Sequence, residues 1–152
     1  LTMSDLITTE LVDLLLTTGD KDTTTRRLAG LLAGSGRVTD LEGFLADVRA
    51  REAQMPTGIE GGIGIPHARS AHVTEPSLAF GRSAEGVDYG APDGPADLIF
   101  LIAAPEGSDA DHLSILAALA RRLVHASFKD ALRAAVVPQD VVDLVNKEVL
   151  GQ

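Results

Sequence analysis

Leu98-Ile99-Phe100-Leu101-Ile102-Ala103-Ala104 is an unbroken apolar run. Neighbouring side chains on a strand point to opposite faces of a sheet, so a run with no polar position predicts a central strand buried on both faces. At this length it falls far short of the ~20 residues that a membrane-spanning helix needs. A strand of that kind demands cover on both sides, and the rest of the chain has to supply it. Hydrophobic residues make up 45% of the 152, enough for a real core in one domain over 1–152.

The flanking segments read as that cover. Thr8 and Thr9 can cap a short turn before Leu11. Leu28, Leu31 and Leu32 have i, i+3, i+4 spacing and predict a helix from about Asp22 to Ala33, closed by Gly34 and Gly36. Thr39 and Glu42 fit a capping box for a second helix, with Leu41, Phe44, Leu45 and Val48 on one face, running to about Glu52. The middle reads as strands: Ile59, Ile63 and Ile65 among glycines, Leu78 and Phe80 alternating with Ala79 and Gly81, then Val87 and Tyr89. The last third returns to helix. Leu113, Leu116, Leu119, Ala120 and Leu123 mark one helix, and Phe128, Leu132 and Val136 a second. Pro138 opens a third at the favoured first position, followed by Val141, Val142 and Val145. Helices, strands, then helices fit a mixed sheet covered on its faces, with the strand order left open.

Composition removes several function classes. The chain has no Cys, which excludes disulfides, thiolate zinc sites and a cysteine nucleophile, and is compatible with a reducing cytoplasm. A formal net charge of −9 repels phosphate backbones and argues against nucleic acid as a partner. It suits both plain solubility and steering toward a basic protein. No segment resembles a secretory signal or a membrane span, so direct membrane insertion is not expected.

Familiar catalytic patterns fail. No Gly precedes a Lys, so a GxxxxGK[ST] phosphate loop is absent. Gly62-Ile63-Gly64-Ile65-Pro66-His67 begins like a dinucleotide fingerprint, but His67 replaces the last Gly and Pro66 sits where a helix should already run. No GxSxG elbow occurs. Of the four histidines, His67 has the unusual surroundings. Glycines before it allow another molecule to come close, and Pro66 stiffens the backbone and biases Ile65 toward extended geometry. The expectation is a strand that delivers His67 to an exposed, stiff turn. Arg69 lies two residues on, with Arg49 and Arg51 upstream.

An imidazole with one basic nitrogen is a good nucleophile near neutral pH, and its phosphoramidate keeps high transfer potential. Such chemistry asks the protein for one fixed tautomer and for cations or N–H dipoles facing the transferred oxygens. His112, in the first turn of a helix starting near Asp109–Asp111, either donates to a phosphoryl oxygen there or packs over Ile115 and Leu116. His72 reads as an exposed bystander, and His125 as the end of a helix, where a cation complements the dipole. A zinc site is the chemical rival, but HExxH is absent and no tight ligand cluster appears, so neither metal nor nucleotide cofactor is expected.

Arg51-Glu52, Thr57-Gly58, and Gly61-Gly62-Ile63-Gly64-Ile65-Pro66-His67-Ala68-Arg69 together resemble the EIIA fructose/mannitol/nitrogen (type 2) family of the bacterial sugar phosphotransferase system. Gly86-Val87-Asp88-Tyr89, Asp97 to Pro105, and His112 to Ala120 continue the similarity in family order over nearly the whole chain. The resemblance implies a layered α/β domain, a mixed central β-sheet flanked by helices. It implies a phosphotransferase whose phosphoryl donor is HPr or an HPr-like domain and whose acceptor is a cysteine on an EIIB domain. His67 matches the histidine phosphorylated at Nε2, Arg51 the arginine beside it, and His112 the second histidine. The implied location is the cytoplasm, alone or beside a membrane-bound permease. Gly64 stands where Ala is more usual. The run Ala91 to Pro95 and the Ala-Ala-Pro-Glu-Gly ending at Gly107 look fructose-like. The alternative is a nitrogen-type regulator that binds other proteins according to its phosphorylation state.

Overall fold

A computed structural model of the chain describes residues 6–107 and 109–149, apart from the side chains of 109–113, 115 and 116. A 3-10 turn at Thr9–Leu11 leads into β1 (Val12–Leu16), followed by α1 (Lys21–Gly34) and α2 (Leu41–Gln54). Five strands follow: β2 (Gly58–Ile59), β3 (Ile63–Gly64), β4 (His67–Ser70), β5 (Ser77–Val87) and β6 (Ala96–Pro105). Helices α3 (Asp109–Leu123), α4 (Ala126–Ala134) and α5 (Pro138–Glu148) complete the chain.

The six strands form one mixed sheet in the order β1-β5-β6-β3-β2, with β4 also on β6. The β6 strand is its centre. It runs antiparallel to β5 on one side and parallel to both β3 and β4 on the other. Every residue from Leu98 to Ala104 is fully buried, as the unbroken apolar run requires. Phe80 and Phe100 face each other across β5 and β6 with ring centroids 4.9 Å apart and planes tilted by 54°. A tilted pair of this kind adds roughly 0.5–1.5 kcal/mol beyond its buried area.

Two adjacent residues of β5 show that both faces are covered. A side chain at Gly81 would run into Leu16 and into Leu28 of α1. Arg82, pointing the opposite way, donates to the carbonyls of Leu132, Arg133 and Ala135 at 3.1, 3.0 and 2.7 Å, closing the C-terminal end of α4. Helix α1 therefore packs on one face and α4 on the other, giving the layered α/β domain expected.

Several local expectations need correction. The N-terminal half is not helix throughout: Val12–Leu16 forms β1, because a short apolar run does not separate helix from strand and pairing with β5 decides it. The cap of α2 is Asp40, whose carboxylate accepts from Gly43 N–H at 3.2 Å, not Thr39. The Thr39 hydroxyl instead donates to the His72 carbonyl, and Glu42 pairs with Arg26 at 2.6 Å. Val136 lies beyond α4 and is exposed rather than part of its buried face.

Candidate functional site

Strands β3 and β4 lie end to end along the same edge of β6: Gly64 pairs with Ile99 and His67 with Ile102. The break between them is Ile65-Pro66. Proline has no N–H for a ladder, so the strand must interrupt there. Its carbonyl still accepts from Ile102 N–H at 3.0 Å, which keeps the second half in register. His67 consequently opens a strand after the stiff dipeptide instead of hanging from a turn at a strand's end, and it is half-buried rather than exposed.

The ring is oriented by its own backbone. His67 Nδ1 lies 2.8 Å from the Ile65 carbonyl oxygen. A carbonyl only accepts, so Nδ1 carries the proton and the basic lone pair of the neutral ring belongs to Nε2. Burial lowers the His67 pKa below its ordinary value. The Ile65 hydrogen bond opposes that shift, the Arg51 charge adds to it, and the Glu52 charge opposes it. The net effect favours the neutral, nucleophilic imidazole near neutral pH.

Arg51, in the last turn of α2, donates to the Met55 carbonyl at 3.3 Å and lies close enough for its charge to act on His67. Arg49 instead faces Asp22 at 4.0 Å, in a cleft of about 310 Å³ between α1 and α2. The structure thus separates two arginines that spacing alone had left side by side. Arg69 is exposed and, two residues along β4, shares the strand face of His67. His112 falls in the first turn of α3, which starts four residues after β6 ends; Ser70 of β4 pairs with Pro105 there. The His112 side chain is outside the described residues.

The other histidines are elsewhere. His72 is partly exposed, with Nδ1 at 3.9 Å from an Asp40 carboxylate oxygen. His125 does not simply end a helix: its N–H donates to the Arg122 carbonyl while its own carbonyl accepts from Lys129 at 3.4 Å, so it joins α3 to α4 and caps the latter. Among the described residues, no three His, Asp or Glu groups stand close enough to hold a metal ion.

The glycine turn before the site is fixed from α4. Gly61 and Gly62 adopt φ of 98° and 81°, the left-handed region that glycine enters without strain. Arg133 donates to the Gly61 carbonyl at 2.6 Å while its fork grips Asp97 at 2.7 and 2.9 Å. Asp93 accepts from Gly61 N–H at 3.0 Å.

Two features escaped the sequence reading. Met55 and Ile59, 64% and 39% exposed, are large exposed apolar side chains shortly before this turn in sequence, whereas Ile63 beside it is fully buried. Glu52 is buried, and its carboxylate accepts from Thr57 N–H at 2.9 Å and from the Thr57 hydroxyl at 2.6 Å. An acid five residues before a threonine, across Pro56, was the available signal.

Residues 5–148 match the model of the family described as phosphoenolpyruvate-dependent sugar phosphotransferase system, EIIA 2. The chain belongs to this family. EIIA domains are phosphotransfer components of that system. This EIIA domain is 38% identical to the fructose-specific EIIA component of Haloferax volcanii, over 97% of the chain and 96% of the relative. It is 35% identical to the fructose-specific EIIABC component of Bacillus subtilis over 95% of the chain, but spans only 23% of that protein. Among solved structures, the nitrogen regulatory protein IIA-Ntr of Neisseria meningitidis superposes with a TM-score of 0.80 at 28% identity, covering 92% of this chain and 96% of that one. Among the described residues no helix is long and apolar enough to cross a membrane.

Proposed function

We propose that this EIIA domain accepts a phosphoryl group on Nε2 of His67 and passes it to a partner protein in fructose-type sugar uptake. The observation that carries this reading is the 2.8 Å hydrogen bond from His67 Nδ1–H to the Ile65 carbonyl, which directs the lone pair of the neutral ring to Nε2. The donor is a phosphohistidine of HPr or an HPr-like domain. The Nε2 lone pair attacks its phosphorus, a new N–P bond forms, and the donor's N–P bond breaks with its electron pair returning to the donor imidazole. In the second step a cysteine thiolate of an EIIB domain attacks the same phosphorus; the S–P bond forms and the His67 N–P bond breaks. As the ring takes up phosphorus it gains positive character, which the Ile65 carbonyl, accepting from Nδ1–H, stabilises.

Arg51 supplies fixed positive charge toward the transferred oxygens, and His112 a directional N–H from the start of α3. The phosphoryl group arrives already bonded to a good leaving group, so neither nucleotide nor metal is required. The fructose assignment is supported by the fructose-specific relatives, and an EIIB acceptor by a relative whose name joins A, B and C components. Localisation in the cytoplasm, alone or beside a permease, follows from the same reading.

The test is incubation with phosphorylated HPr: wild type takes up label, and His67→Ala takes up none while keeping its fold. Labelled His67→Ala would refute the assignment. The likeness to IIA-Ntr favours one second reading, a regulator that binds other proteins according to its phosphorylation state. Adding an EIIB domain separates the two, since a transport component loses its label to the EIIB cysteine.

A further inference from the structure

The ring of His67 is held by a carbonyl, and that carbonyl is itself held. Ile65 N–H donates to the Thr57 carbonyl at 3.1 Å, and Ile65 O accepts from His67 Nδ1 at 2.8 Å. Both bonds of this one residue therefore set where its carbonyl points. Thr57 is clamped in turn on its other side: its N–H and its hydroxyl reach the two oxygens of Glu52 at 2.9 and 2.6 Å. Glu52 lies on α2, a helix packed against β4, so the chain Glu52–Thr57–Ile65–His67 ties the catalytic ring to a rigid element.

Burying a carboxylate is costly unless its oxygens are satisfied. Glu52 is 9% exposed, with both oxygens engaged by Thr57 and Lys21 Nζ at 3.9 Å. A surface loop needs no such anchor merely to connect a helix to a two-residue strand. Phosphoryl transfer, by contrast, depends strongly on the direction of the attacking lone pair, and misplacement by an ångström can cost on the order of a hundredfold.

We propose that Glu52 is a positioning residue for His67: by clamping Thr57 it fixes the Ile65 carbonyl, and that carbonyl selects the tautomer with Nε2 as the nucleophilic atom. The inference rests on phosphoryl transfer through His67, and deepens it by naming the residue that poises the nucleophile without touching the phosphoryl group.

The direct readout is the His67 tautomer, observed by long-range proton–nitrogen NMR on the uniformly 15N-labelled 152-residue chain at a pH where the ring is neutral. Wild type shows the Nδ1–H form. Glu52→Ala releases Thr57, mixes Nε2–H into the population and slows single-turnover phosphoryl uptake from phospho-HPr by about ten- to a hundredfold. Glu52→Gln keeps an acceptor for Thr57 N–H and a polar group for its hydroxyl, so it restores most of both. Thr57→Val keeps the shape and the N–H but deletes the hydroxyl bond; it moves tautomer and rate in the direction of Glu52→Ala, and carries the test alone if Glu52→Ala does not fold. A single Nδ1–H tautomer in both folded variants overturns the proposal, even if uptake slows, because the loss would then not pass through the ring. Absence of uptake by wild type would refute the transfer reading instead, and the tautomer series would still decide the role of Glu52.

Discussion

Gly64 is where packing beside the site can be tested with opposing effects of known size. It lies in β3, outside the left-handed region, so alanine is allowed by the backbone. Taken alone, Gly→Ala in a strand gains about 0.5–1 kcal/mol by restricting the unfolded chain. A Cβ at Gly64, however, would lie 2.7 Å from Tyr89 Cδ2, 2.9 Å from Cγ and 3.3 Å from Cε2. Cγ is the root of the ring, and the ring cannot swing aside. Tyr89 is 1% exposed, its hydroxyl is bonded to Thr25 Oγ1 at 2.9 Å, and its carbonyl accepts from Gly58 N–H at 2.8 Å. Overpacking of this kind costs roughly 1–3 kcal/mol, so the clash outweighs the gain and a net loss of about 0.5–2 kcal/mol is expected. At roughly 2.1 cal/mol/K per residue, a chain of this length has an unfolding entropy near ~0.32 kcal/mol/K, which converts that loss to a Tm about 2–6 °C lower. Scanning calorimetry on wild type and Gly64→Ala measures it, and the loss shrinks in a Tyr89→Leu background, where the planar ring is gone. A Gly64→Ala protein as stable as wild type, or more so, refutes the reasoning, and would mean that the Tyr89 ring has room to move.

Two further outcomes concern charge at His67. Arg51→Gln removes a positive charge that opposes ring protonation, so the His67 pKa rises in an NMR titration of its ring protons while phosphoryl uptake slows by ~10–10³-fold; an unchanged pKa would place Arg51 too far away. Because the folded state holds the His67 pKa below its unfolded value of 6.5, the native state binds fewer protons as pH falls through that range. The contribution of His67 to stability is therefore present above pH 6.5 and is lost as pH drops toward the folded-state pKa, so His67→Gln flattens this part of the urea-midpoint profile relative to wild type.

The legible parts of the fold were those that a single segment decides. Leu98–Ala104 can satisfy seven apolar side chains in sequence only at the middle of a covered sheet, and it lies there. Pro138 and the valines after it define α5 unaided. Val12–Leu16 did not, because only the partner strand β5 distinguishes an edge strand from a turn of buried helix. Thr39 and Asp40 are both good caps one residue apart, and the choice fell to a distant carbonyl, that of His72, which takes the Thr39 hydroxyl. At the site, the glycines and Pro66 made the break in the backbone before His67 legible, because proline and glycine act locally. The clamp from Glu52 through Thr57 and Ile65 stayed hidden: its links run through backbone groups, which every sequence possesses, and only the fold says which of them meet.

Phosphoryl transfer through this site requires phosphorus to bond to Nε2 of His67. Incubating the full chain with 32P-labelled phospho-HPr, then locating the label by acid and alkali stability, peptide mapping and nitrogen–phosphorus coupling in NMR, tests it most directly. One phosphoryl group per chain is expected, labile in acid and comparatively stable in alkali, coupled to the Nε2 atom of His67. An acid-stable phosphate, or an acid-labile one on His72, His112 or His125, contradicts it.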